Sequence, residues 1–458
     1  MGGFTYKTKE EVLARGREAI GIPLKEIDTT GRLSTGKGAI GNVLEESWFG
    51  QKINNEAKAD FEEVGVELKV TPYIMTSKGI RAKERLVCNI IDYMKEYERT
   101  FKTSSFWEKC NTMLIMSYEH RDKVPKGEFT IDEAVLFSFP LEDLVIIEQD
   151  WGKIIKKVRD GKAHEISEGD TLYLGACTKG ANANSLRKQP FSAIPAKQRA
   201  YSLKQSYMTY ILNTYVYGSK QDEHIIKDPN ELRTIGFEGY IINKIRPYLG
   251  RSQESLKNEF GIISNAKNVN EIILAKMLGI TGKIAYTEEF QKANIVPKTI
   301  RIEKNGKIKE SMSFPVFEFK KIVQEDWESS EFKNYLEQTK FLFIVFRFNE
   351  DNELIFEDLL FWNIPDKDLE EVHKVWQRTV DVLNRGVRFH RVGKRTYNDL
   401  PKIKDNPVSH VRPHARDSKD TLQLPDGRWM PKQCFWLNNT YVKEQIEKTK
   451  ASSNDKRE

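Results

Sequence analysis

The chain has 458 residues, of which 39% are hydrophobic and 11% aromatic, so most of it is expected to fold into packed cores, in about two domains. The net charge of +6 permits a polyanionic partner without requiring one. The absence of long apolar runs excludes a membrane span and a secretion signal, and four cysteines without a CxxC pair predict reduced thiols and a cytoplasmic protein.

The first chemically unusual element is a predicted strand at residues 59–70, ADFEEVGVELKV. Every second residue along it is apolar: Val64, Val66, Leu68 and Val70. Glu67 and Lys69 share the opposite face. Asp60 lies just upstream, before the predicted turn EEVG that leads into the strand. The sequence therefore predicts two carboxylates and an ammonium group around one small volume.

This grouping suits phosphodiester chemistry. Asp60 and Glu67 are expected to hold Mg²⁺, because two carboxylates suffice for that ion, and Lys69 is expected to orient the attacking water. Glu45, on a predicted helix just upstream, and Lys109, at the start of the next core strand, are expected to complete the site. The alternative interpretation is a solvated strand face with charged neighbours.

A repeat divides the chain into two similar halves. Four pairs of segments match in the same order: 45–50 with 274–279, 105–118 with 334–347, 148–163 with 373–388, and 203–208 with 431–436. The pairs at 148–163 and 373–388 predict amphipathic helices that each end at a glycine. Each half is therefore predicted to be an α/β domain, a mixed central sheet flanked by helices.

The repeat also predicts that only one half is catalytic. The counterparts of Glu45, Asp60, Glu67 and Lys109 are Leu274, Glu289, Val296 and Gln338. Lys69 alone keeps its residue type, as Lys298, and Pro297 suits an edge strand. The predicted domains are a catalytic domain at 1–220, a linker at 221–231, a non-cutting domain at 232–446 and a disordered tail at 447–458.

The segment ADFEEVGVELKVTP, preceded by GNVLE and followed by SSFWEKCNTM, resembles the active-site region of MutH. The whole chain resembles the two-domain, GATC-cutting type II restriction endonucleases of the Sau type, including residues 167–192, 196–212 and 408–415. This resemblance implies two tandem MutH-like domains of the PD-(D/E)xK nuclease superfamily. It also implies Mg²⁺ at Asp60 and Glu67, with Lys69 as the water-positioning base and Glu45 and Lys109 as accessory residues.

The resemblance further implies cleavage of double-stranded DNA 5′ of the G in GATC, within a restriction–modification system that includes a cognate DNA methyltransferase. Lys179 matches the recognition-loop lysine of the family, although MutH has Arg-Pro-Lys where this chain has CTK. The paired KQ motifs suggest phosphate contacts. The residues expected to contact DNA are Lys179, Asn182, Asn184, Arg187, Lys204, Arg412, His414 and Lys432.

A palindromic site has two scissile phosphates, so two chains are expected to meet on DNA, or one chain to nick twice. The second domain is expected to bind another GATC copy as an allosteric effector. Two alternatives stay open: a GATC-specific mismatch-repair nicking endonuclease, and a DNA-binding regulator without catalysis.

Overall fold

The computed structural model describes residues 4–34, 36, 38–53, 58–77, 79–180, 185–219, 222–264, 266, 268–393 and 395–454. The chain divides into two compact units. The first comprises Met1–Tyr240 and Ala285–Asn294, and the second comprises Ile241–Ile284 and Ile295–Glu458.

Both units contain helices and strands. The helices are α1 (Lys9–Glu18), α2 (Leu24–Ile27), α3 (Ala39–Val43), α4 (Tyr93–Glu96), α5 (Ser105–Cys110), α6 (Leu141–Arg159), α7 (Gln205–Ile211), α8 (Leu232–Ile245), α9 (Gln253–Glu259), α10 (Val269–Met277), α11 (Glu288–Lys292), α12 (Phe319–Ile322), α13 (Glu331–Gln338), α14 (Asp366–Arg385) and α15 (Asn439–Asn454). The strands are β1 (Glu67–Thr76), β2 (Gly79–Ala82), β3 (Leu86–Ile90), β4 (Thr112–Glu119), β5 (Glu133–Ser138), β6 (Leu174–Thr178), β7 (Leu186–Gln189), β8 (Ser192–Lys197), β9 (Arg199–Leu203), β10 (Ile295–Ile302), β11 (Met312–Val316), β12 (Lys340–Phe348), β13 (Leu354–Trp362), β14 (Phe389–Val392), β15 (Arg395–Asn398), β16 (Ser409–Pro413), β17 (Thr421–Gln423), β18 (Trp429–Pro431) and β19 (Gln433–Leu437).

The first unit contains a mixed sheet in the order β2-β1-β4-β5, in which β1 runs parallel to β4 and β5 runs antiparallel to β4. A separate antiparallel sheet has the order β3-β9-β6, and β7 and β8 form a hairpin. Val66 and Leu68 are buried in a core that also includes Leu114 on β4 and Val12 on α1. This packing fixes the apolar face of β1 and leaves its opposite face for Glu67 and Lys69.

The second unit repeats this topology. Its mixed sheet has the order β10-β12-β13, with β10 parallel to β12, and its antiparallel sheet has the order β11-β19-β16. The β17–β18 hairpin lies between β16 and β19 in the chain, as β7–β8 lies between β6 and β9. A further hairpin, β14–β15, follows α14.

The predicted α/β fold class is confirmed, although each unit has two main sheets where one was expected. The strand that contains Pro297 is an edge strand, as predicted. Gly161 and Gly386, which follow α6 and α14, have positive φ values of 68° and 89°, a conformation that suits glycine at a helix end.

The boundaries of the units differ from the predicted domains. The predicted linker at 221–231 and the first residues after it lie within the first unit, which also includes 285–294. The predicted disordered tail begins inside α15, which is packed on the core of the second unit through Tyr441, Val442 and Ile446 and continues to Asn454. Within the predicted tail, Lys450 pairs with Glu357 and Asp358 on β13. No helix among the described residues combines the length and the apolar character needed to cross a lipid bilayer.

Candidate active site

A tight turn brings the two predicted metal ligands together at the start of β1. Phe61 and Val66 form an isolated antiparallel bridge, and Gly65 has a φ of +64°, which closes the turn. The Asp60 backbone N–H donates to Glu67 Oε2 at 3.1 Å, and the Leu68 N–H donates to Asp60 Oδ2 at 3.0 Å. The turn therefore fixes both carboxylates in reciprocal hydrogen bonds.

Two lysines face these carboxylates. Lys69 Nζ donates to Glu67 Oε1 at 2.7 Å and to the Cys88 carbonyl at 3.3 Å. Lys109 Nζ lies 3.4 Å from Glu67 Oε1 and 3.9 Å from Asp60 Oδ1. Lys109 belongs to the last turn of α5, just before β4, and not to the strand itself as predicted.

Burial dominates the electrostatics of the site. Burial and the nearby Asp60 carboxylate together raise the pKa of Glu67, which is 2% exposed, to about 7, although Lys69 and Lys109 oppose the shift. Burial also raises the pKa of Glu45 to about 7, with contributions from Asp60 and Glu67. Burial alone would lower the pKa of Lys69, but the Glu67 carboxylate raises it above its ordinary value. Glu45 lies on the π-helical segment Leu44–Trp48, so the predicted helix is confirmed.

The donor set fits a hard divalent cation. Among the described residues, no three side chains of the types His, Cys, Asp and Glu converge to form a complete metal cage. Mg²⁺ does not need one, because it binds through one or two carboxylates and keeps several waters. Asp60 and Glu67 are close enough to offer two such carboxylates, since an oxygen of each lies within 4 Å of the same Lys109 nitrogen.

The equivalent place in the second unit lacks this cluster. Lys298 Nζ donates to the Ser313 carbonyl at 3.1 Å, much as Lys69 donates to a carbonyl on β3. Val296 occupies the position of Glu67 and packs against the core of its unit. Glu289, the counterpart of Asp60, is buried within the first unit, where its carboxylate accepts hydrogen bonds from the Ile225 and Ile226 N–H groups at 2.9–3.1 Å.

The predicted recognition loop follows β6. The Lys179 N–H donates to the Gln198 carbonyl at 2.7 Å, and the Gln198 N–H donates to the Ser185 carbonyl at 2.9 Å. Arg187 is exposed on β7, and its Nε donates to Gln198 Oε1 at 2.9 Å. Asn182 and Asn184 lie outside the described residues. Sequence analysis missed Gln198, which supports both ends of the loop, because a lone glutamine before a strand has no distinguishing pattern.

Two lysines that were predicted to contact phosphates, Lys204 and Lys432, make bonds to groups of the protein instead. Lys204 is 2% exposed, and its Nζ donates to the Thr171 carbonyl at 2.5 Å, so the prediction that it reaches DNA phosphates is wrong. Lys432 Nζ pairs with Asp420 Oδ1 at 2.6 Å. The two KQ motifs are also not equivalent, because strand register aligns Gln198, and not Lys204, with Lys432.

In the second unit, hydrogen bonds around Lys432 repeat those around Gln198. The His414 N–H donates to the Lys432 carbonyl at 2.9 Å, and the Lys432 N–H donates to the Asp420 carbonyl at 3.1 Å. Residues 414–420 are therefore the counterpart of the Lys179 loop. Arg412 is exposed, and its guanidinium lies 4.7 Å from the centre of the Trp436 ring.

Comparisons with known proteins agree with this geometry. The family profile described as the DNA mismatch repair enzyme MutH matches residues 49–150, which include Asp60, Glu67, Lys69 and Lys109 but not Glu45. MutH of Shewanella woodyi is 25% identical over 186 residues, which cover 39% of this chain and 79% of that protein. MutH of Escherichia coli O139:H28 is 26% identical over 218 residues, with coverages of 45% and 92%.

A longer match extends over both units. The type II restriction enzyme Sau3AI of Staphylococcus aureus is 39% identical over 486 residues, which cover 97% of this chain and 99% of that enzyme. Such identity over almost the whole of both proteins includes the repeat as well as the active-site strand. The chain therefore belongs to the Sau3AI family of type II restriction endonucleases and contains a MutH-like nuclease domain in its first half.

Proposed function

We propose that this enzyme cuts double-stranded DNA at 5′-GATC-3′, on the 5′ side of the G, by Mg²⁺-dependent hydrolysis of one phosphodiester bond in each strand. The observation that carries this proposal is the convergence of Asp60, Glu67 and Lys69 at the start of β1, in a chain of the Sau3AI family. The resemblance to GATC-cutting endonucleases supports the target sequence.

The residues divide the chemical work. Asp60 and Glu67 would hold Mg²⁺, which supplies Lewis-acid polarisation of the scissile phosphate and lowers the pKa of a bound water. Lys69 is fixed between Glu67 and the Cys88 carbonyl, so its ammonium group orients the attacking water and offsets negative charge as the phosphorus–oxygen bond breaks. Lys109 approaches the same carboxylates from α5 and adds a second positive charge.

Glu45 contributes through its charge. Its pKa of about 7 means that it changes protonation in the same pH range as Glu67. Below that range Glu67 is protonated and binds a cation poorly, and Glu45 adds no negative charge beside it, so cleavage is expected to increase as the pH rises through 7.

Lys179 and Arg187 are proposed to contact DNA from the loop and strand after β6. In the second unit, Arg412 and His414 are proposed to do so beside the equivalent loop. The second unit binds another GATC copy and favours cleavage by the first. Two chains meet on the duplex, and the enzyme acts in the cytoplasm with a cognate methyltransferase that protects the host sites.

Cleavage of a plasmid with a few GATC sites tests this function. The purified chain with Mg²⁺ should give linear fragments whose ends begin at the G of GATC, and no product with EDTA. Open circles alone, or cleavage that requires a mismatch-repair partner, would support a nicking endonuclease instead. DNA binding without any strand cleavage would contradict the proposal and favour a regulator.

A further inference from the structure

A basic hairpin in the second unit has no counterpart in the first. β14 and β15 pair antiparallel, from Phe389 opposite Asn398 to Val392 opposite Arg395. In the first unit, the stretch 160–173 between α6 and β6 is described throughout and contains no strand. The hairpin, residues 389–398, is therefore an addition to the shared topology.

The base of the hairpin is firmly attached to its unit. Arg428 Nη2 donates to the Val387 carbonyl at 2.7 Å, and its guanidinium lies 5.0 Å from the centre of the Phe389 ring. The Arg388 N–H donates to Asp399 Oδ1 at 3.0 Å. These contacts hold the two strand ends in place, so the hairpin has a fixed root.

Both faces of the hairpin are exposed. Val392 is 60% exposed and Tyr397 40% exposed, and all described residues of the two strands except Asn398 are exposed. A two-stranded hairpin of this kind gains little from burial and is only marginally stable without a partner. Its exposed apolar side chains therefore point to a surface that binds another molecule.

The charge of the hairpin indicates what that molecule is. No acidic residue occurs in the sequence from Gly386 to Asn398, whereas Arg388, Arg391 and Arg395 are exposed along it. Arginine forms bidentate contacts with phosphates and with guanine. A two-stranded ribbon also has the right width for the major groove of B-form DNA.

The pairing of the two strands determines which side chains lie on the same face of the hairpin. His390 stacks on Tyr397 with ring centroids 5.4 Å apart, and Val392 lies opposite Arg395 on the same face. Arg391 lies on the other face, opposite Thr396. One face therefore combines an aromatic pair with an arginine, and each face presents a guanidinium group.

We propose that the hairpin 389–398 is a DNA-contacting element of the second unit, with Arg391 and Arg395 as its contacts to the duplex. This inference rests on the proposed function, because it assigns a surface to the DNA binding proposed for that unit. Phosphates and guanine edges would both be recognised by the same guanidinium chemistry.

The test compares two double variants of the full chain, each in a Glu67→Gln background and assayed in EDTA so that the DNA stays intact. Arg391→Gln with Arg395→Gln removes two exposed positive charges from the hairpin. Lys374→Gln with Lys448→Gln removes the same charge from exposed positions on α14 and α15. The dissociation constant for a GATC duplex is measured for each chain over a range of salt concentrations, and thermal melting verifies folding.

The hairpin variant should bind about 10-fold more weakly, and the slope of log affinity against log salt should decrease by nearly one for each phosphate that the variant no longer neutralises. The lysine variant should match its parent. An equal loss of affinity on a duplex without GATC would assign the arginines to phosphates, and a loss confined to the GATC duplex would assign them to base edges.

Two results would overturn the inference, and they differ. If the parent chain binds DNA with its usual salt dependence and the hairpin variant does the same, the hairpin does not contact DNA, while the proposed function stands. If the parent chain has no salt-dependent affinity for DNA at all, the proposed function fails as well.

Discussion

The two units place a lysine at the same point of the same strand, but its surroundings differ. In the first unit, the Glu67 carboxylate raises the pKa of Lys69 despite burial. In the second unit, burial lowers the pKa of Lys298, and Glu271 opposes this shift only in part. If the first unit is the catalytic one, as proposed, the second differs from it in the neighbours of a retained lysine, while the strand and the lysine's hydrogen bond to a carbonyl are kept.

The first carboxylate of each site shows a second difference. Asp60 accepts a hydrogen bond from the Leu68 N–H within its own turn, which leaves its other oxygen directed toward Lys109. Glu289 uses both oxygens to accept the N–H groups of Ile225 and Ile226. The acid at the position equivalent to Asp60 therefore serves as an acceptor for backbone N–H groups.

The largest effect is expected from the carboxylate that only the first unit has. Glu67→Gln should reduce the rate of plasmid cleavage by about 10³-fold or more, because both the cation and Lys69 lose their partner. Glu271→Gln, the matched change beside Lys298, should leave the rate within about twofold on DNA with a single site. A comparable reduction in both variants would show that the second unit also takes part in the chemistry.

The two lysines give the next comparison. Lys69→Met should slow cleavage by about 10²–10³-fold, since a positive charge that stabilises the transition state is removed. Lys298→Met should retain normal cleavage of single-site DNA, because Lys298 donates to the Ser313 carbonyl and has Val296 where Lys69 has Glu67. Single-turnover rates with both variants measure this difference, and a slow Lys298→Met enzyme would contradict it.

Substitutions of Asp60 and of its counterpart Glu289 should have opposite effects: the first should impair cleavage and the second should lower stability. Asp60→Asn should abolish most cleavage and change unfolding little. Glu289→Gln should lower the free energy of unfolding by about 1–3 kcal/mol, because glutamine offers one acceptor oxygen where Glu289 uses two, so a buried N–H group loses its partner. Urea titration and cleavage at low temperature measure both properties, and a Glu289→Gln chain that folds stably but no longer cuts would refute the assignment.

The sequence predicted the site better than its surroundings. Alternation of apolar residues in 64–70 placed Glu67 and Lys69 on one face, because a strand has a period of two and its apolar face must be buried. Pro297 predicted an edge strand, because proline cannot donate a ladder hydrogen bond. These features depend only on neighbours in the chain.

Contacts between distant segments were not predictable in this way. The two KQ motifs look alike, yet strand pairing shifts them, so that Lys204 is buried against Thr171 while Lys432 reaches Asp420. The hydrogen bonds that Glu289 accepts come from Ile225 and Ile226, more than sixty positions upstream. Local patterns do not contain the register of long-range pairing, which requires the folded chain.

The smallest expected effect concerns pH and stability. Because burial raises the pKa of Glu45 and Glu67 from 4.5 to about 7, the folded first unit holds protons that the unfolded chain releases. In the absence of metal, the contribution of these two carboxyls to stability is therefore fully present below about pH 4.5 and is lost as the pH rises through 7. Bound Mg²⁺ should oppose this decrease, because it replaces the proton on Glu67 and its charge favours the ionised form of the nearby Glu45.

Calorimetry in EDTA and in Mg²⁺ at pH 5.5 and pH 8 tests this expectation. Mg²⁺ should raise the melting temperature of the first unit by roughly 3–10 °C at pH 8 and much less at pH 5.5. Glu67→Gln should remove most of that gain, whereas Glu271→Gln should not, since the second unit lacks the paired carboxylates. An equal gain at both pH values would mean that the cation does not compete with protons for Glu45 and Glu67, and that the contrast between the two units lies elsewhere than in their buried acids.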